Sequence, residues 1–131
     1  MTDRRGYRGI VGTGAILNNR DRRFAYTFPQ SANNYGRKRG CVCFFDLRGV
    51  SDADLRGDGG ALDKYYFLNP EHCADNPIFL VLGRAHHADL IPWTAGNPGE
   101  ARIPFVEAWY QGRVELATIE SVLDVRVERS R

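Results

Sequence analysis

The 131-residue sequence has no apolar run near the roughly 20 residues that a membrane-spanning helix needs, and no signal-type apolar segment near its first residue. It is therefore expected to work in the cytoplasm, away from membranes. Cysteine is scarce, with three residues that cannot all pair. Cys41 and Cys43 fall on one apparent strand and are expected to face its opposite sides, as reduced thiols of a cytoplasmic protein. A zinc set assembled from Cys41, Cys43, His72, Cys73, His86 and His87 lacks Cys-x-x-Cys or His-x-x-x-His spacing, so no metal is expected. Charge is almost balanced at +2, too little to attract nucleic acid by itself. Gly12 and Gly14 belong neither to GxGxxG nor to GxxxxGK followed by Ser or Thr, so no phosphate loop is indicated. There is no internal repeat.

What remains is a composition of 43% hydrophobic and 26% charged residues, that of one globular domain spanning 1–131. Tyr7, Ile10 and Val11 have helical spacing, with Gly12 and Gly14 as a stop. Residues 40–50 give the clearest strand, apolar on both faces and so expected inside a covered sheet. Residues 51–60 read as a loop with a helical turn at 52–55, and 62–68 as a strand or buried turn. A second strand follows at 78–82, and 86–87 read as a short helix or edge. Residues 91–102 form a Pro/Gly-punctuated loop and 103–110 a third strand. After a turn at Gln111 and Gly112, a short helix is expected at 117–122 and an alternating strand at 123–128. Strands with a few short helices make the class α+β.

Between the first helix and the 40–50 strand lies the stretch on which the function reading rests. It runs Phe24-Ala25-Tyr26-Thr27-Phe28-Pro29-Gln30-Ser31-Ala32-Asn33-Asn34-Tyr35-Gly36. Pro29 and Gly36 bracket a short expected helix, on which Ser31 and Tyr35 share a face. A hydroxyl beside an aromatic ring can hydrogen-bond the substituent of a flat ring stacked on it. The plainer reading is a surface helix whose tyrosine covers the edge of the core. Arginines cluster at 4–8, 20–23 and 37–39, leaving room for a local anionic partner.

Three blocks, in order, resemble the ADP-ribosyltransferases of the poly(ADP-ribose) polymerase-like branch. They are Tyr7-Arg8-Gly9-Ile10 with its glycine turn, Phe24-Ala25 with Ser31-Ala32-Asn33, and Val106-Glu107-Ala108-Trp109-Tyr110. Residues 51–99 match nothing in the pattern. The resemblance implies two small, packed, mainly antiparallel sheets with short helices, and NAD as substrate in the cleft between them. Ser31 matches the serine that binds the nicotinamide carboxamide, and Glu107 matches the catalytic glutamate facing the ribose. Tyr35 takes the stacking role if the extra Asn is absorbed; Tyr26 is a candidate for the opposite wall, and Phe24 belongs to the same cofactor-binding block. The family's N-terminal histidine has no counterpart, since no histidine precedes His72; a missing first strand or a divergent member would account for that. The implied activity is mono-ADP-ribosyl transfer to an unknown protein or nucleic-acid acceptor, as in a toxin or effector. The alternatives are a catalytically silent nucleotide- or partner-binding module of this type, and a small RNA-binding protein.

Overall fold

A computed structural model describes residues 1–25, 34–65, 69, 76–92 and 106–128. The architecture is α+β, with short helices and three small antiparallel sheets among the described residues. Helix α1 (Arg4–Thr13) is capped by Asp3, whose carboxylate accepts from the Gly6 amide at 2.6 Å. Gly14 ends it in the left-handed region at φ 72°, so the glycine stop read from the sequence is real. Strand β1 (Ala15–Ile16) follows directly.

Helix α2 (Tyr35–Lys38) leads into β2 (Cys41–Phe45), then α3 (Asp52–Arg56) and α4 (Ala61–Lys64). The chain continues through β3 (Ile78–Leu82), a 3-10 turn at Arg84–Asp89, and β4 (Ile91–Pro92). Last come β5 (Glu107–Gln111), β6 (Val114–Glu115), a 3-10 turn at Leu116–Thr118, and β7 (Ile119–Asp124). The sheets are β1-β6, β2-β5-β4 and β3-β7. The three-stranded sheet supplies the frame of the candidate site. Its central strand, β5, pairs Trp109 with Cys43 and Glu107 with Phe45.

The strand period of two sorts these residues onto two faces. One face carries Val42, Phe44 and Tyr110, which pack with Leu82, Val114, Ile16 and Ile119 from the other two sheets. All three sheets meet there, around a Val114 that is 0% exposed. The opposite face carries Cys41, Cys43 and Phe45 beside Glu107 and Trp109, and helices cover it. The chain thus buries β2 from both sides, as its continuous apolar run implies.

Several expectations change. Cys41 and Cys43 share a face and one apolar cluster with Trp109, because residues two apart on a strand point the same way. The anticipated helix reaching back from Gly36 is interrupted at Asn34, whose ψ of 131° is extended; Asn34 caps a helix that starts at Tyr35. Ser31, expected to share a helical face with Tyr35, lies outside the described residues. Residues 119–122 are strand rather than helix, since β3 supplies their partners and tertiary pairing overrides local propensity. β3 is not wholly interior: Val81 is exposed on a ribbon that is two-stranded among the described residues.

Candidate functional site around Glu107

Glu107 opens β5 and is 8% exposed, the one buried charged residue among those described. An ionised carboxylate in such a place needs polar partners, since burial without them costs several kcal/mol. The Tyr65 hydroxyl donates to Glu107 Oε2 across a long 3.5 Å. Tyr65 arrives from the end of α4, packing in one cluster with Ala61 and Val106. Its ring meets Phe45 edge-on, with centroids 5.0 Å apart and planes at 65°. Such a pair adds about 0.5–1.5 kcal/mol beyond the area it buries. Because Phe45 is the register partner of Glu107, the aromatic pair fixes one flank of the carboxylate.

Cys43 and α2 form the other flank. The Cys43 thiol donates to Asn34 Oδ1 at 2.9 Å, and the same oxygen accepts the Arg37 amide at 3.1 Å. Asn34 thereby caps α2 and ties it to β2 with one side chain. Gly36 is buried against Trp109: a Cβ there would stand 2.6 Å from the indole Nε1. Only a residue without a side chain lets the helix lie this close. Burial pushes the Cys43 thiol up to about 12, with Arg37 opposing and the Glu107 charge adding to the rise. Cys43 is thus a protonated, inert thiol at neutral pH and no nucleophile.

A polar group borders the Glu107 end of the sheet. The Asp46 amide donates to the Val106 carbonyl at 2.7 Å, closing β2 onto the residue before Glu107. Hydrogen bonding from Arg48 holds the Asp46 carboxyl below its ordinary value, across an ion pair of 2.7 Å. Arg48 also reaches His87 Nδ1 at 2.8 Å, while His87 Nε2 stands 3.0 Å from the Leu82 carbonyl. The carbonyl can only accept, so Nε2 carries the proton and Nδ1 accepts from Arg48.

The sequence-derived candidates divide as follows. Glu107 is buried on the helix-covered face. Tyr35 begins α2, the helix that packs on that same side. Ser31 and Tyr26 lie outside the described residues, as does the 94–102 loop. Phe24 is elsewhere: it is 49% exposed and lines a pocket with Gly112 and Arg113, beyond the opposite end of β5. Gln111 is four residue steps along β5 from Glu107, about 13 Å at ~3.3 Å per residue.

Sequence reasoning missed Tyr65 and Cys43 as neighbours of the carboxylate, and Asn34 as the partner of Cys43. Cys43 was recoverable from the two-residue period, had its strand been set against β5. Tyr65 was not, because its contact depends on a loop closure of 42 residues.

Comparison with protein-family models, with curated proteins and with solved structures finds no match to this chain.

Proposed function

We propose that the chain is an NAD-dependent mono-ADP-ribosyltransferase in which Glu107 is the catalytic carboxylate. The observation that supports it most is the link from Asn34 through Cys43 to the sheet face of Glu107. That link draws the end of the Phe24–Gly36 stretch and the 106–110 block together, though Asn34 and Glu107 are 73 positions apart. In the proposed reaction the bond between ribose C1′ and the nicotinamide nitrogen breaks, and its electron pair leaves with nicotinamide. An acceptor nucleophile then bonds to C1′ and gives up its proton. Glu107 holds the ribose hydroxyls and stabilises the positive charge that develops at C1′. A low-dielectric wall of Phe45 and Tyr65 strengthens that interaction. Ser31 binds the nicotinamide carboxamide, and Tyr35 and Tyr26 flank its ring.

A second reading draws on the burial of Glu107. At 8% exposure, with Tyr65 donating to it, the carboxylate also suits a structural role in a silent nucleotide-binding module.

The two readings separate on how variants divide binding from rate. Under the transferase reading, Ser31→Ala weakens NAD binding by about one hydrogen bond, 0.5–1.5 kcal/mol, and slows turnover little at saturation. Glu107→Gln keeps most of the affinity and loses turnover. If Glu107→Gln lowers thermal stability while NAD affinity and turnover stay at the wild-type level, the structural reading replaces the catalytic one.

A further inference from the structure

The loop beyond the far end of β5 has chemistry that the Glu107 site does not use. Asn19 closes it with two bonds, Nδ2 donating to the Phe24 carbonyl at 2.8 Å and Oδ1 accepting the Phe24 amide at 2.9 Å. One side chain thus performs the pairing that a neighbouring strand would supply. Asn19 and Arg22 both have φ of 54°, a left-handed conformation uncommon outside glycine, so the loop turns back sharply. The result holds Phe24 at the rim of an open pocket of about 310 Å³, lined also by Arg20, Arg23 and Arg113. That volume suits a single small ligand unit.

The electrostatics of this end differ from those of the whole chain. Arg20, Arg22 and Arg23 are exposed on the loop. Lys38 and Arg39 stand close by, because Gly112 donates to the Gly40 carbonyl at 3.0 Å and Arg37 reaches the Asn18 carbonyl at 3.0 Å. Asp21 and Glu115 are the nearby carboxylates, and Glu115 is already engaged by Arg113 at 2.6 Å. A chain of net charge +2 has therefore gathered an excess of cations around one exposed ring.

We propose that this pocket binds single-stranded nucleic acid, with one base stacked on Phe24 and the flanking phosphates held by Arg20 and Arg23. An exposed ring amid guanidinium groups offers both contacts that a single strand requires, a stacking platform and a path of positive charge. A duplex is excluded because its bases are already stacked on each other. The site needs no NAD and lies beyond Gln111, itself about 13 Å along the strand from Glu107.

The test is fluorescence anisotropy of labelled oligouridylate and oligothymidylate without NAD, at about 50 and about 200 mM salt. Wild type binds, and its affinity falls with salt. Phe24→Ala weakens binding about 5- to 100-fold at both salt concentrations, the loss of one stacked base, with the salt slope unchanged. The Arg20→Ala/Arg23→Ala pair lowers the slope by about 1.4, at ~0.7 per phosphate contact. All three side chains are exposed, so melting temperatures that match wild type keep folding out of the comparison. The proposal is overturned if wild type does not bind at the lower salt, or if Phe24→Ala binds as tightly as wild type. Displacement by uridine monophosphate at equal nucleotide concentration also overturns it, since a strand is then unnecessary.

Discussion

Replacing Gly36 by Ala tests how closely α2 lies against the site face. The added Cβ would meet Trp109 Nε1, Cδ1 and Cε2 at 2.6–2.8 Å. Ordinary carbon contacts lie at about 3.5–4.0 Å, so either the helix or the indole must move by nearly 1 Å. Trp109 is 4% exposed and pinned in the centre of the sheet, which leaves the helix to yield. Overpacking of this sort costs about 1–3 kcal/mol. Alanine returns up to about 1 kcal/mol of helix propensity, less in a four-residue helix. The net loss is therefore about 1–2 kcal/mol. At ~2.1 cal/mol/K per residue, 131 residues unfold with an entropy of about 275 cal/mol/K, so the melting temperature falls by about 4–7 °C.

Trp109→Phe removes Nε1, the atom nearest the added Cβ, and puts a smaller ring in its place. Denaturant unfolding of both single variants and the double variant should show a favourable coupling of about 1 kcal/mol or more. A Gly36→Ala protein as stable as wild type, with no coupling to Trp109→Phe, would refute the packing of α2 on this face.

Two other consequences are open to simpler measurements. Burial holds the Cys43 proton to about 12 against an ordinary 9.0, so above pH 9 the unfolded chain releases a proton that the folded one keeps. Stability then falls by about 1.4 kcal/mol per pH unit between those values, and urea unfolding of Cys43→Ala should show a flatter profile over that range. Val114→Ala opens a void where the three sheets meet and should cost about 2 kcal/mol or more in chemical denaturation, whereas Val81→Ala, on the exposed ribbon, should cost less than about 1 kcal/mol.

Local signals in the sequence carried well where one segment decided its own shape. Gly14 stopped α1, the helical turn read at 52–55 became α3, and the 41–45 run became a strand buried on both sides. They failed where a distant partner decided. Residues 119–122 became strand because β3 lay alongside, and Ile78–Leu82 stayed half-covered because its far edge is met, among the described residues, by Thr2 alone, in a bridge at Ile78. The candidate site follows the same division. Glu107 was visible as a lone carboxylate in an aromatic strand, and the sheet register explains its burial beside Phe45. Its contact with Tyr65 could not be read from a run as apolar as Leu62-Asp63-Lys64-Tyr65-Tyr66-Phe67-Leu68, which suits strand or helix equally. Phe24 is held by the closed loop at Asn19 toward the other end of β5 from Glu107, and Ser31, its neighbour in the same sequence block, lies outside the described residues.

The central claim is that Glu107 acts on the ribose of NAD, and the release of nicotinamide at saturating NAD tests it most directly. Wild type should release nicotinamide continuously, and Glu107→Gln, equal in shape but without the charge, should be slower by about 10²–10³. Equal rates for the two proteins, or no release by a folded wild type, would contradict the claim.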